Sequence, residues 1–308
     1  MFNVPVLIIG FNRSDLLIEL IDLIAQVKPR EIYIAIDGPR PENKNDINEV
    51  EKCRRVVADI DWDCTIRTKF SDVNLGCGLA VSSAISWAFT TCENLIIIED
   101  DIRPDLSFFR FAEEMLIRFE DDDSVQTIGA YSSLEDNNEK FSYHFSAYPE
   151  IWGWATWRST WDKYQFDLSI VRKSSIWNTI RVNGGNILST LTMLLSFHSV
   201  SSKRVDTWDF QLVHLSVMEQ GSHIIPNVNL IQNLGFGDKA THTKFSPRLT
   251  PIASQIEFPL KHPKGHLIDK KSDRLKRKLQ NRQLFWSIQQ LMKFLLPKKP
   301  LEISSKCN

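Results

Sequence analysis

The sequence predicts an α/β fold with a mostly parallel central sheet that is flanked by helices. Short β-type runs alternate with helix-spaced apolar residues through the first 130 residues, which is typical of βαβ units. In addition, the apolar run 95–98 leads directly into three acids, Glu99, Asp100 and Asp101. Ligands of open α/β sheets bind just beyond the carboxyl ends of the strands, so we expect these acids to face a binding site.

The elements of the first half follow one another in a regular order. Residues 4–9 form the first predicted strand, and apolar residues then recur at helical spacing from Leu16 to Ile24. The second strand, 31–36, ends in a turn that begins at Asp37. Further strands are predicted at 63–68, 95–98 and 125–129, a loop at 74–78, and helices from that loop to about Thr91 and at 106–119.

Composition places the chain among globular proteins. Its 308 residues are 43% hydrophobic and 24% charged, which is enough to bury a sizeable core. No run approaches the roughly 20 apolar residues of a membrane-spanning helix. The start, MFNVPVLIIGFN, lacks the features of a signal peptide, so we expect a cytoplasmic protein. The five cysteines form no C-x-x-C pair, which argues against a zinc knuckle or a disulfide framework.

The last part of the chain differs in charge from the rest. Between Lys261 and Lys299 there are 12 Lys or Arg residues and two Asp, although the whole chain has a net charge of −1. A basic part is followed by an apolar part that contains Phe285, Trp286 and Phe294. We expect an amphipathic helix that contacts a membrane surface, with docking on the rest of the protein or a dimer contact as alternatives. No nucleic-acid-binding motif accompanies these charges, so we expect no nucleic-acid partner.

Three adjacent acids at the end of a buried strand need a physical reason. Their carboxylates repel one another and lose hydration, so they are stable only in water or beside a positive charge. A solvated loop is one explanation and a bound cation is the other, and the position at a strand end favours the cation. Because neighbouring side chains of an extended chain point in opposite directions, we do not expect Asp100 and Asp101 to share one ligand.

Tryptophans are concentrated in the second half of the chain, where four of the nine fall within ten residues. Trp157 and Trp161 are helix-spaced, so we expect them in the core. Trp152, Gly153 and Trp154 are less typical of a core, because glycine allows close backbone approach and flat indole faces suit stacking on sugar rings. We therefore expect these three residues to contact a sugar or an acceptor.

Several segments of the chain form a recognisable ordered set. They are PVLIIGFNRSDLL, IDGPR, NLGCGLAVSSAISWAF, LIIIEDDIRPDLSFF and YPEIWGWATW. Together they resemble glycosyltransferases of the GT-A fold, in particular the inverting N-acetylglucosaminyltransferase I type and bacterial capsule and O-antigen transferases. The resemblance implies one Rossmann-like GT-A domain in which residues 1–130 bind a nucleotide-sugar and residues 131–260 bind the acceptor and carry catalysis. The basic amphipathic tail, 261–308, follows that domain.

The resemblance also implies a reaction and its partners. A sugar would pass with inversion from a nucleotide-sugar, with a uridine diphosphate sugar as the expected donor. The acceptor would be a hydroxyl of a glycan or lipid-linked glycan in bacterial surface-polysaccharide synthesis. A divalent cation, Mn²⁺ or Mg²⁺, would hold the diphosphate and stabilise it as the leaving group. Such an enzyme would work in the cytoplasm or peripherally at the inner face of the plasma membrane.

The roles of the acidic triplet carry over by its position in the motif. Asp101 matches the acid that touches the metal in the relatives, whereas Glu99 and Asp100 match acids that hold the nucleotide, especially its ribose. His242 resembles the late histidine of some relatives and would be a second metal ligand. An exposed loop histidine explains His242 equally well.

Other donor-side residues carry over in the same way. Arg13 resembles a basic residue at the end of the first strand and would pair with phosphate. Asp37 resembles the acid that accepts a hydrogen bond from the pyrimidine ring, and a plain turn aspartate is the alternative. Asn74 and Gly76 would shape the loop beneath the donor, unless Gly76 only connects a loop to a helix.

Inversion requires a general base on the acceptor side of the sugar. The pair Trp208 and Asp209 resembles the tryptophan-acid sequence that carries this base in the relatives. The match is incomplete, because Phe210 stands where the N-acetylglucosaminyltransferase has a second acid. We expect Asp209 to be the base in preference to Asp206. A carboxylate in the first turn of a helix is the structural alternative.

Two other functions stay open. A sugar-phosphate nucleotidyltransferase shares the broad architecture but would want a glycine-rich, basic loop after the first strand. The corresponding segment, GFNRSDLL, has one glycine and one arginine. A non-catalytic, transferase-like membrane scaffold is the third hypothesis, and the presence of Asp101 and Asp209 argues against it.

Overall fold

The computed structural model describes residues 2–133, 140–168, 173–235 and 252–278 of the chain. The strands in this part are β1 Val6–Gly10, β2 Glu31–Ile36, β3 Thr65–Phe70, β4 Asn94–Glu99, β5 Ile102–Pro104, β6 Val125–Gly129, β7 Tyr143–Ser146, β8 Trp154–Trp157, β9 Ser222–Pro226 and β10 Ile231–Asn233. The helices are α1 Ser14–Val27, α2 Lys44–Val56, α3 Gly76–Ala88, α4 Leu106–Arg118, α5 Arg158–Trp161, α6 Lys173–Val182, α7 Ile187–Ser201 and α8 Asp209–Glu219. Residues 270–278 are also helical.

Eight of these strands form one large sheet in the order β3-β2-β1-β4-β8-β6-β9-β7. The strands β1 to β4 are parallel to one another. Only β8 and β7 run antiparallel to their neighbours, while β6 and β9 are parallel. A mostly parallel sheet with helices on both faces confirms the predicted α/β class. The remaining strands, β5 and β10, pair antiparallel in a small second sheet.

The first strand shows why the sheet needs continuous apolar runs. Val6 and Ile8 pack on one side with α1, α2 and α4, whereas Leu7 and Ile9 pack on the other side with α3 and α8. Alternate side chains of a strand point to opposite faces, so a strand between two helix layers must be apolar at every position. The four cysteines in the described part of the chain are free thiols.

The first half of the chain agrees with the prediction except in its strand boundaries, in helices α2 and α3, and in strand β5, which was not predicted. The strand boundaries shift by one or two residues, as for β3, which covers Thr65–Phe70 and not 63–68. Helix α2 was not predicted, because few of its residues are apolar and most of the others are charged. Helix α3 begins at Gly76, inside the segment that was expected to be a loop, because carboxylates from other segments bond the N–H groups at its start.

Residues after 131 complete the sheet out of chain order. Strand β8 enters antiparallel between β4 and β6, so the end of β4 lies near the middle of the sheet. Trp157 and Trp161 are buried in the core, as predicted. The indole N–H of Trp157 donates to Leu116 O at 3.3 Å, and that of Trp161 donates to Ser86 Oγ at 2.9 Å.

The beginning of the C-terminal tail docks on the domain. Asp273, in the helical residues 270–278, accepts a hydrogen bond from Ser146 Oγ at 2.7 Å, and Lys276 pairs with Glu150 at 2.8 Å. The remainder of the predicted amphipathic tail, 279–308, lies outside the described residues. Within the described ranges, no helix has the length and apolar character that crossing a membrane requires.

Candidate functional site

A cleft of about 390 Å³ opens beyond the carboxyl ends of β1, β2 and β4. Parallel strands bring their carboxyl ends to one edge of the sheet, which is where a ligand of such a fold is expected. The polar and aromatic residues that line the cleft are Phe11, Asn12, Arg13, Asp37, Arg40, Asn74, Cys77, Glu99, Asp100, Asp101, Trp152, Asp206 and Asn233, together with Gly10, Gly76 and Gly235.

The acidic triplet forms one wall of this cleft. Glu99 is the last residue of β4, and Asp100 and Asp101 follow it. Arg13, from the segment after β1, places Nη1 2.7 Å from Asp101 Oδ2 and 3.6 Å from Asp100 Oδ1. The backbone N–H of Phe11 donates to Asp100 Oδ2 at 3.2 Å. The predicted residues Arg13, Glu99, Asp100 and Asp101 are therefore brought together at one strand edge.

One arginine does not neutralise three neighbouring acids. Burial, followed by the charges of Asp101 and Asp100, raises the pKa of Glu99 to about 8. Burial and the charge of Asp101 likewise raise the pKa of Asp100 to about 7, although Arg13 opposes the rise. The site thus holds its acids against electrostatic repulsion, and an added positive charge would relieve that repulsion.

Residues from the second half of the chain cover Asp101. The N–H of Leu234 donates to the carbonyl oxygen of Asp101 at 2.8 Å, and the N–H of Gly235 donates to Asn233 Oδ1 at 2.7 Å. A Cβ atom at Gly235 would collide with Asp101 Oδ2, so only glycine allows this approach. Asn233 and Gly235 were not predicted as site residues, because they reach the cleft only through the pairing of β10 with β5.

The carboxylate of Asp101 has the chemistry of a ligand for a hard divalent cation. Mg²⁺ and Mn²⁺ prefer oxygen ligands and accept sites with few protein groups, which water and phosphate oxygens complete. No group of three or more His, Cys, Asp or Glu side chains suited to a metal occurs in the described residues. Asp101, whose carboxylate lines the cleft, is the described residue that would hold such a cation. The second predicted ligand, His242, lies outside the described residues.

The start of α3 forms the opposite wall, and Asp37 holds it in place. Asp37 Oδ1 accepts hydrogen bonds from the N–H groups of Gly38 at 2.8 Å and Leu75 at 2.9 Å, and Asp37 Oδ2 accepts one from Asn74 Nδ2 at 2.9 Å. Burial raises the pKa of Asp37, and the backbone hydrogen bonds oppose this rise. Since both of its oxygens hold the loop, Asp37 serves the turn and helix start and is poorly placed to accept from a pyrimidine ring.

Asp206 holds the same helix start from the other side. Its Oδ1 accepts a hydrogen bond from the N–H of Gly78 at 3.0 Å. A Cβ atom at Gly76, where φ is +77°, would collide with Asp206 Oδ2. Asn74 and Gly76 therefore shape the cleft wall. We call Asp37 and Asp206 the clamp acids.

Asp209, the predicted base, begins helix α8 close to the cleft. Its Oδ1 accepts hydrogen bonds from the N–H of Phe210 at 2.8 Å and from the hydroxyl of Thr207. Its charge contributes to the raised pKa of Glu99, so Asp209 lies within electrostatic reach of the triplet. Of the two acids considered for the base, Asp206 lines the cleft.

An ion pair at the cleft, in which Asp46 is buried and Arg40 is partly exposed, was not predicted. Arg40 donates to Asp46 through Nε at 2.5 Å and Nη2 at 2.9 Å, and Asn12 Nδ2 donates to Asp46 at 2.9 Å. The Arg40 guanidinium lies 5.4 Å from the centre of the Phe11 ring. Phe11 and Asn12 are distant in sequence from Arg40 and Asp46, so only their positions after β1 and β2 could have indicated this cluster.

The three residues predicted to contact a sugar occupy different environments. Trp152 lines the cleft, where its ring centre lies 4.5 Å from that of Tyr131. Gly153, at φ +69°, packs against the core and not into the cleft. Trp154 is 1% exposed and stacks on Trp208 at 5.6 Å between ring centres. Only Trp152 is placed to stack on a ligand, because the other two belong to β8 and the turn that enters it.

No family model matches this chain, and no curated protein matches it. Among solved structures, residues 1–349 of TarS from S. aureus are 10% identical with a TM-score of 0.37, over 76% of this chain and 61% of that chain. A mannose-1-phosphate geranyltransferase from Thermus thermophilus is 10% identical with a TM-score of 0.35, over 75% of each chain. HddC from Yersinia pseudotuberculosis is 14% identical with a TM-score of 0.29, over 46% of this chain and 67% of that chain. At these scores we infer function from the site alone.

Proposed function

We propose that this chain is an inverting, metal-dependent glycosyltransferase of the GT-A type that uses a nucleoside diphosphate sugar. The observation that carries the proposal is the acidic triplet at the end of β4, which faces a cleft and lies beside Arg13. Burial and mutual repulsion raise the pKa of Glu99 and Asp100, and a site of this kind favours a cation. A nucleoside diphosphate brings phosphate oxygens to complete the coordination of that cation.

Asp101 would hold Mn²⁺ or Mg²⁺, and the cation would stabilise the negative charge of the departing diphosphate. Arg13 has a related task. Its guanidinium now pairs with Asp101, and it can pair with a phosphate oxygen once the charge of Asp101 is compensated. Glu99 and Asp100 would then contact the ribose side of the donor.

The clamp acids support a diphosphate position near Arg13. The N-terminus of a helix attracts anions through its exposed N–H groups. At the start of α3, Asp37 and Asp206 already accept hydrogen bonds from such N–H groups. A phosphate placed there would meet two carboxylates, whereas a phosphate near Arg13 meets a guanidinium.

The acceptor hydroxyl would lose its proton to Asp209. Both hydrogen bonds to this carboxylate fall on Oδ1, so Oδ2 is the atom proposed to take the proton. Asp206 is the less suitable base, because it holds the start of α3 through Gly78. Trp152 offers an aromatic face in the same cleft for the acceptor or the transferred sugar. We further propose a glycan or lipid-linked glycan of the bacterial surface as the acceptor.

A panel of nucleotide-sugars, led by uridine diphosphate sugars, tests this function. We expect one donor to be hydrolysed slowly, and to raise the unfolding temperature, only when Mn²⁺ or Mg²⁺ is present. A parallel assay with nucleoside triphosphates and sugar 1-phosphates measures pyrophosphate release. Pyrophosphate release without donor hydrolysis would identify a nucleotidyltransferase, and no response in either assay would leave the scaffold hypothesis.

A further inference from the structure

Helices α6 and α7 pack together and expose a row of large apolar side chains. On α7 the spacing of the exposed positions is helical, and on α6 an indole ring is 74% exposed. A monomeric protein rarely exposes such a surface without a partner. We call this surface the α6–α7 face, and it consists of Ile176, Trp177, Ile187, Leu188, Leu191 and Leu195.

The segment that carries the face is positively charged, and Asp167 and Asp206 lie just outside it. Residues 168–205 contain five Lys or Arg and no Asp or Glu. Lys203 and Arg204, just after α7, are exposed. The combination of exposed leucines, an exposed indole and lysine or arginine at the edge is typical of a surface that lies in the membrane interface.

The last described residues of the chain contact the turn between α6 and α7. Arg277, near the end of the described chain, donates to the hydroxyl of Tyr148 at 3.3 Å, and Tyr148 in turn donates to Asn183 Oδ1 at 3.0 Å. A Cβ atom at Gly184 would lie 3.7 Å from Arg277 Nη2. Gly184 belongs to the turn between α6 and α7, so the last described residues of the chain lie beside that turn.

Charge distinguishes among the possible occupants of the face. A second copy of the chain would bring like charges together, and the basic tail would also be repelled by a basic surface. An anionic bilayer attracts both segments, and its acyl region accepts the leucines and the indole. We propose that the α6–α7 face binds the surface of a bilayer that contains anionic lipid.

The α6–α7 face is connected to the cleft by a short segment of the chain. The chain continues from α7 through Arg204 directly to Asp206, which lines the cleft. Only a short segment thus separates the C-terminal end of α7 from the cleft, and a lipid-linked acceptor would suit an enzyme held at a bilayer. The proposed membrane binding does not depend on the proposed reaction, because vesicle binding is measured without turnover.

Sedimentation of the full-length protein with vesicles tests the proposal. We expect binding to phosphatidylcholine vesicles that contain phosphatidylglycerol, and weaker binding at high salt or without the anionic lipid. A double variant, Trp177→Ser with Leu191→Ser, should bind at least about tenfold more weakly, because two exposed apolar side chains no longer enter the bilayer. Arg204→Glu should weaken binding by about fivefold or more.

Ile117→Ser is the matched control. Ile117 is 68% exposed on α4, which packs on the other side of the sheet from α8 and α7. This variant should bind vesicles like the wild type. The proposal is overturned if the double variant also binds like the wild type, since the tail alone would then account for binding. It is equally overturned if the wild type ignores vesicles and forms a dimer that the double variant dissociates.

Discussion

The clamp acids and the triplet acids line the same cleft but differ in how their charges are compensated. Asp37 and Asp206 accept hydrogen bonds from backbone N–H groups at the start of α3. Burial raises the pKa of Asp37, Glu99 and Asp100 alike, but backbone hydrogen bonds oppose the rise at Asp37, whereas the charges of neighbouring acids add to it at Glu99 and Asp100, which Arg13 only partly offsets. Backbone donors stabilise a carboxylate permanently, whereas neighbouring acids destabilise it until a cation arrives.

This difference separates structural carboxylates from functional ones more reliably than position along a strand does. Asp37 and Glu99 both lie at the carboxyl ends of parallel strands. Replacing Asp37 removes acceptors from N–H groups that need them, so the fold should suffer. Replacing a triplet acid removes repulsion, so the apo fold should tolerate it and ligand binding should suffer. The predictions below test this division.

The largest effect is expected from a substitution of Asp209. It tests whether this acid is a functional carboxylate or a structural one. Asp209→Asn keeps the size and much of the hydrogen bonding of the side chain but cannot accept the proton of the acceptor. Turnover should fall by about 10²–10⁴-fold while donor affinity stays nearly constant. Steady-state kinetics together with donor titration by calorimetry measures both quantities.

Asp206→Asn is the control for that variant, and it should cost much less turnover. An inactive Asp206→Asn with an active Asp209→Asn would mean that the tryptophan-acid motif was aligned wrongly. Loss of folding in both variants would assign both acids to structure and place the base elsewhere.

Asp101→Ala should produce the next largest effect. If Asp101 is the main protein ligand of the cation, Mn²⁺-dependent affinity for a nucleoside diphosphate should fall by more than about 100-fold, since weaker supporting contacts already cost about 10–100-fold. Glu120→Ala, at an exposed acid of a different acidic run, is the control. Unchanged metal-dependent affinity in Asp101→Ala, measured by calorimetry, would remove Asp101 from the site.

Asp37→Ala should mainly affect stability. The N–H groups of Gly38 and Leu75 would lose their acceptor, and a buried unsatisfied donor costs about 1–3 kcal/mol. Urea unfolding should show this loss, whereas Asp101→Ala should leave the apo protein as stable as the wild type or slightly more stable. Equal destabilisation by the two substitutions would contradict the division between clamp and triplet acids.

Sequence patterns were sufficient where the structure is local. The strand β4 and the acids after it were predicted because a buried run and its end are visible in one short segment. Arg13 was predicted to join them only through the resemblance of its segment to GT-A transferases, and the structure places it there because parallel strands converge at one edge. The α/β class followed from the same alternation of strands and helices.

The features of the site that the sequence did not predict depend on contacts between segments that are distant in the chain. The N–H group that satisfies Asp37 belongs to Leu75, on a different segment, so a turn aspartate and a ligand-binding aspartate look alike in sequence. Trp154 was predicted to stack on a sugar, but β8 enters the middle of the sheet and buries it. Leu234 reaches Asp101 because of the small sheet of β5 and β10, which no local pattern indicates.

The smallest predicted effect is a dependence of stability on pH in the metal-free protein. In the folded state the pKa of Glu99 is raised from 4.5 to about 8, and that of Asp100 from 3.8 to about 7. The folded protein therefore holds protons that the unfolded chain has released, so the free energy of unfolding should decrease as pH rises through this window. Between pH 6 and 8.5 we expect a loss of roughly 1 kcal/mol, less than the full shifts imply because Glu99 is partly exposed and Arg13 compensates some of the charge. Urea unfolding in the presence of a chelator measures this slope, and Glu99→Gln, which cannot ionise, should flatten it. A free energy of unfolding that rises with pH in the wild type, or an unchanged slope in Glu99→Gln, would show that the triplet is not a site of uncompensated charge.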